Sequence, residues 1–428
     1  MSNQTNNPNQ LPAIPEDFEH LLDEFPAEVR QLVEGVWTRL PHERQQQLVG
    51  VLPDLPAGNL DSMRRILDSS QQNLQMAFGA KQAVTIVGPA NVGKSTLYNH
   101  FIAHKGDTAV VSPIPGTTKI NQTADAGLFN IVDTPGVDAA GPTGQQERTF
   151  ALEAARQADF LIIMFDAIQG IKETELALFR ELRGLGKPFI VVLNKMDLVG
   201  GGWRKRGEPT AVLNQVANHL NLPPAQVIPI SAKDGDNLES VVLAIVKAEP
   251  ALLVALGRAL PRYRSKLAWQ AIMAAASTAG VIALTPIPIV DFVPLLALQG
   301  SLVLGIARIY NYKMTLGRAR EMASTMGLGY LGRTLFQELS KLGGPPGWML
   351  SAAIAASTTV VIGYTAVLWF SKGEKLSADA SRQLLRLLAT RLLGRWGKWA
   401  EDETPPDKDA LAEDLANWRE EAQTLSNE

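Results

Sequence analysis

The octet Gly88-Pro89-Ala90-Asn91-Val92-Gly93-Lys94-Ser95 limits the folds open to this chain more than any other feature. An apolar run, Ala83–Val87, precedes it and a helix-periodic stretch, Gly93–His104, follows. A loop of this kind wraps its backbone N–H groups round a phosphate where a strand runs directly into a helix N-terminus. Gly88 and Gly93 allow the tight turn and the close backbone approach, with Asn91 and Val92 supplying loop backbone between them. That requirement selects an α/β domain built on a parallel sheet.

Residues 81–250 continue the alternation. Gly127–Val132, Phe160–Phe165, Phe189–Leu193 and Val227–Ile230 are predicted strands, and Gln145–Gln157, Lys172–Leu185, Thr210–Leu220 and Asn237–Lys247 predicted helices. The expected fold class is thus an α/β P-loop domain, mainly parallel, with helices on both faces. An N-terminal helical segment and an all-α, apolar C-terminal domain flank it. Three more strings each follow a strand, at the sheet edge where such folds bind ligands: Asp133-Thr134-Pro135-Gly136, Asn194-Lys195-Met196-Asp197 and Ser231-Ala232-Lys233.

Each string has a chemical reason. Lys94 is expected to neutralise β- and γ-phosphates, Ser95 to ligate Mg²⁺ through its hydroxyl, and Thr96 to close the site from behind. Asp133 is placed to hold the magnesium through its water shell. Gly136 offers its N–H to the γ-phosphate, so loss of that phosphate frees the loop after it. The Asp197 carboxylate accepts paired hydrogen bonds from guanine N1 and N2, which adenine cannot supply. Asn194 braces that loop, the Lys195 stem covers the base, and Ser231, Ala232 and Lys233 add a backbone N–H for guanine O6. The expected ligands are GTP and GDP with Mg²⁺.

These motifs resemble those of the Era/TrmE/Der group of translation-factor-class GTPases, over about 82–250. The resemblance implies GTP hydrolysis, with Lys94, Thr118 and Gly136 as the catalytic set. Pro115-Gly116-Thr117-Thr118 matches a segment whose threonine closes over magnesium and γ-phosphate, which adds Thr118 to Ser95 and Asp133 as metal-site residues. Lys119-Ile120 stands where the group usually has Arg-Asp. Val137 occupies the position at which several GTPases carry a water-orienting glutamine, so slow intrinsic turnover is expected. Asn91 matches an asparagine that helps bind potassium in some members; a K⁺ site and a purely structural Asn91 both stay open.

The remaining chain divides by composition. Residues 1–15 read as a disordered tail without the basic-then-apolar pattern of a signal peptide, and 16–80 as a helical region. Residues 251–400 read as a hydrophobic, membrane-associated helical domain and 401–428 as an acidic tail. Asp291 is the single ionisable side chain between Lys266 and Arg308, and Gly347–Phe370 is uncharged. Leu267–Thr285 and Phe292–Ile309 approach the length of a span, joined by a proline-rich turn at 286–294 with basic residues outside both ends. Leu385, Leu388, Leu392, Trp396 and Trp399 form one helical stripe, suited to an anionic membrane surface or to the protein's own core. Residues 262–380 also resemble the uncharacterised hydrophobic domain appended to some bacterial Era-like GTPases, which implies membrane association.

The expected location is the cytoplasmic face of a membrane, as an integral hairpin or peripherally. Membrane lipid and a homodimer through the G domain are the partners left open. The absence of cysteine excludes disulfides and thiolate metal sites. A net charge of −3 gives no global basic field, which disfavours nucleic acid. A dynamin-like membrane remodeller and a ribosome or RNA assembly GTPase are the alternatives to a membrane-associated switch.

Overall fold

A computed structural model describes residues 73, 75–76, 81, 83–102, 128–134, 142–199, 208–284, 292–312, 347–373 and 377–401. The expectations for 1–15, for nearly all of 16–80, for the loop around Thr118, for Gly136 and Val137, for most of the 286–294 turn and for the acidic tail lie outside these residues.

Among the described residues five strands, β1 (Val84–Pro89), β2 (Phe129–Thr134), β3 (Phe160–Asp166), β4 (Phe189–Asn194) and β5 (Val227–Pro229), form one parallel sheet in the order β2-β1-β3-β4-β5. Every residue of β3 is buried. Successive side chains of a strand point to opposite faces, so both faces are covered, as the unbroken apolar run Phe160–Phe165 requires. The helices of this layer are α1 (Lys94–Ile102), α2 (Pro142–Gln157), α3 (Glu173–Gly184), α4 (Glu208–Leu220) and α5 (Leu238–Ala248). On one side Phe179 meets Phe165 and Phe189 edge-on, at 6.3 and 5.9 Å between centroids. Elsewhere in the layer Phe101 stacks on Phe129 at 5.4 Å and meets Tyr263 edge-on. The chain leaves β1 for β2 on one side and for β3 on the other, so the turn after β1 sits at the switch point of the sheet, where a ligand crevice forms.

The compact unit that holds the sheet runs from Gly79 to Arg264. It includes a short helix, α6 (Leu253–Ala259), whose Leu253 and Leu256 are fully buried.

The second unit comprises Met1–Phe78 with Ser265–Glu428. Its long helices are α7 (beginning at Arg264 and ending at Leu284), α8 (Phe292–Ile309), α9 (Gly347–Lys372) and α10 (Ala378–Glu401). The expected apolar stretch Phe292–Ile309 is α8 itself, and Phe292, Val293 and Pro294, which the 286–294 turn also included, open that helix. The first helical N–H groups have no intrahelical partner, so a proline there removes nothing. Buried hydroxyls on these helices bond their own backbone: Ser277 donates to the Met273 carbonyl, Thr359 to Ala355 and Thr365 to Val361. This explains how apolar helices carry so many serines and threonines.

α9 packs against both α8 and α10. Leu385, Leu388 and Leu392 of α10 are buried, so for these three leucines the core, and not a lipid surface, is the partner. Met349–Lys372 is long and apolar enough to cross a membrane, with 72% of its most apolar window buried inside the protein. Among the described residues no other straight helix passes that test, and Leu298–Ile309 within α8 forms a shorter apolar stretch. Gly363 of α9 lies where three helices converge: a Cβ there would sit 2.5 Å from Ile272 Cγ1 and 3.2 Å from Leu302 Cδ2. Gly363→Val is therefore expected to destabilise this unit by roughly 2–4 kcal/mol through overpacking. A lowered thermal midpoint with unchanged nucleotide affinity is the signature to look for.

Candidate functional site

The loop after β1 turns through two left-handed residues, Asn91 (φ 63) and Gly93 (φ 98). Asparagine tolerates this region better than other side chains, a backbone reason for its presence at 91. A Cβ on Gly88 would lie 2.5 Å from the Met164 carbonyl oxygen, and one on Gly93 would lie 2.2 Å from Asn194 Nδ2. Both glycines are thus imposed by contact. Lys94, Ser95 and Thr96 form the first turn of α1, which carries no acidic residue to offset its N-terminal field. Lys94 is buried at 3% exposure, and its ammonium donates to the Gly88 and Pro89 carbonyls at 2.6 Å each. A cation is thereby fixed against the loop backbone at the helix start. Desolvation of that charge favours an anion beside it.

The other strings meet this loop from neighbouring strands. Asp133 is the penultimate residue of β2 and pairs in register with Gly88. Asn194 ends β4 and is buried; its Nδ2 donates to the Val92 carbonyl at 2.7 Å and its Oδ1 accepts from the Ala232 N–H at 2.8 Å. One side chain therefore clasps the 88–95 loop and the 231–233 loop together. Lys195 is left-handed (φ 66) and opens a short 3₁₀ turn, Met196–Leu198, that carries the half-buried Asp197. Ser231 is buried, bonds reciprocally with Asp234 and pairs with Asp236 across a tight turn. The exposed Lys233 offers its carbonyl to His100 Nε2 at 3.4 Å. The structure thus brings 88–96, 194–197 and 231–233 to one edge of the sheet, while Thr118 and Gly136 lie outside the described residues. Arg148 on α2 is paired with Glu181 of α3 on the exposed surface, where it serves that ion pair.

Asp166 escaped the sequence reading. It ends β3 on the same edge, is 4% exposed, accepts the Ile168 N–H at 2.8 Å, and takes the Lys195 ammonium at 2.6 Å. The available signal was an acid closing the apolar run Phe160–Phe165. Near it, burial raises the Glu175 carboxyl above its ordinary range. The Lys172 N–H and charge oppose that rise, and the charge of Asp166 adds to it.

Magnesium takes hard oxygen ligands and keeps several waters, so few protein donors suffice. The Ser95 hydroxyl at the start of α1, and the aspartate that the β1–β2 register sets beside Gly88, fit that donor set.

A phosphate-binding loop at the switch point, joined to an Asn-Lys-x-Asp turn, defines a P-loop nucleotide-binding domain of the GTPase class. Comparison with known proteins narrows this. Residues 83–195 match the family model described as "50S ribosome-binding GTPase", and residues 251–394 match the one described as "domain of unknown function (DUF697)". The chain thus carries an Era/Der-like GTPase domain followed by a domain of the latter type. GTPase Der of Agrobacterium fabrum is 34% identical over 171 residues, 39% of this chain and 33% of that one. GTPase Era of Aquifex aeolicus is 32% identical over 177 residues, 39% of this chain and 56% of that one. The chain therefore spans only a third to somewhat over half of these relatives. A crystal structure of Aquifex aeolicus Era bound to GDP·AlF4⁻ aligns at 25% identity with a TM-score of 0.33, covering 48% of this chain and 68% of that one.

Proposed function

We propose that this chain binds GTP and GDP with Mg²⁺ and hydrolyses GTP as a conformational switch coupled to its C-terminal helices. The observation that carries the reading is the Asn194 clasp, which holds a base-reading turn against a phosphate-binding loop. In this reading the loop amides and Lys94 hold the triphosphate, and Lys94 stabilises charge that shifts toward the leaving oxygen. Ser95 and, through water, Asp133 would hold magnesium, which when bound neutralises charge on the β- and γ-oxygens. Asp197 selects guanine, the Lys195 stem lies along the base, and the amides of 231–233 face O6. Thr118 and Gly136 close on the γ-phosphate, and their release on hydrolysis is the switch.

Val137 cannot orient water, so turnover is slow without help. The left-handed backbone at Asn91 favours its structural role over a potassium ligand. Turnover measured in NaCl and then in KCl separates the two: equal rates remove potassium.

Membrane association forms the second part of the proposal, and α9 supports it as a helix long enough to span whose one charged residue is the terminal Lys372. Its burial among neighbouring helices fits a bundle that enters the membrane as a group. The test is fractionation of the expressed chain with an alkaline carbonate wash. Retention in the pellet is expected; complete release would remove the embedded reading and leave the GTPase reading untouched.

A further inference from the structure

We infer that Asp166 is a positioning residue for base recognition, acting through Lys195 and resting on the guanine-binding reading above. Its carboxylate joins two adjacent loops. Oδ1 accepts the N–H of Ile168 at 2.8 Å and that of Gln169 at 3.4 Å, while Oδ2 takes the Lys195 ammonium at 2.6 Å. A further bond, from the Ala167 N–H to the Asn194 carbonyl, ties the same loops through the backbone.

The partners differ in exposure, 4% for the Asp166 side chain and 29% for that of Lys195. Charge-assisted bonds meet this buried carboxylate on both oxygens. Lys195 needs the tether for two reasons. Its backbone is left-handed, which a lysine adopts only under constraint from its surroundings. Its four-carbon stem is otherwise free to sample many rotamers. With the ammonium fixed on Asp166, the stem is held in one course beside the turn that carries Asp197. An apolar wall for the purine face is then formed before nucleotide arrives, so that ordering is not charged against binding.

The test uses the full chain with fluorescent GDP. Asp166→Asn keeps the shape and the N–H acceptor but removes the charge. Lys195→Met keeps the stem and removes its anchor. Each is expected to speed GDP release about tenfold, the loss of one charge-assisted bond. Competition by inorganic tripolyphosphate, which reads only the phosphate loop, should be unchanged. The double variant should release GDP no faster than either single one, because both break the same link.

Additive losses in the double variant, or equal weakening of GDP and tripolyphosphate, would overturn the role of Asp166. Should Asp166→Asn fail to fold, Lys195→Met alone decides: GDP release at the parent rate overturns the inference. Failure of the parent protein to bind GDP would instead reject the guanine reading itself.

Discussion

Gly93→Ala is expected to weaken guanine-nucleotide binding by more than about a hundredfold while the sheet remains folded. Two independent effects act at this position. The backbone is at φ 98, outside the region a side-chain-bearing residue adopts without strain, at roughly 1–3 kcal/mol. The added methyl would also fall 2.2 Å from Asn194 Nδ2. A flexible side-chain tip could yield, but this one is held at both ends by Val92 and Ala232. Moving it opens the clasp and leaves buried polar groups without partners, at about 1–3 kcal/mol each. Together these amount to roughly 3–5 kcal/mol, or two to three powers of ten in affinity. Titration with fluorescent GDP checks the loss, and far-UV circular dichroism checks the fold. Gly184→Ala is the control: it ends α3 with open space around it, so alanine should be neutral or mildly stabilising. Wild-type GDP affinity in Gly93→Ala would mean that the clasp does not shape the site.

The second large effect is expected at Asp197. Guanine presents N1–H and N2–H₂ side by side, and a carboxylate accepts from both. An amide in its place keeps one acceptor and turns a donor toward the amino group of the base. Xanthine has an oxygen where guanine has that amino group, and so suits the amide. Asp197→Asn should therefore lose about a hundredfold or more in GDP affinity, two hydrogen bonds to a charged group, and gain preference for xanthosine diphosphate. Asp197 is half-buried in a turn closed by bonds from the Leu198 N–H to Lys195 and from the Val199 N–H to Met196, so the fold should persist. Competition of GDP, xanthosine diphosphate and ADP against a fluorescent guanine nucleotide gives the order. An unchanged preference for guanine would remove Asp197 from base recognition.

The layout of the sheet was readable because its strands are buried on both faces. Phe160–Phe165 and Phe189–Leu193 are apolar without alternation, and helical periodicity separates them, a pattern that parallel pairing demands. The loops were readable for a different reason: phosphate and guanine each dictate residue types in a short contiguous string. Asp166 was not, because its partners Lys195 and Ile168 belong to two loops that meet only when β3 and β4 pair. The α10 leucines were ambiguous in sequence since a lipid surface and a protein core reward the same stripe; the packing of α10 on α9 supplies the missing information. Likewise, nothing local in 253–259 distinguishes a short helix of the sheet-bearing unit from the start of an apolar bundle. What places it is the burial of Leu253 and Leu256 together with the Phe101–Tyr263 contact just beyond it.

Isothermal calorimetry of the full chain with Mg²⁺, titrated separately with GDP, GTP and ATP, bears most directly on the central claim. Both guanine nucleotides should bind with one site per chain, and ATP should give no heat above dilution. Silence with GDP and GTP, or equal binding of ATP, would contradict the assignment of the 88–96 loop to phosphate and of Asp197 to the base.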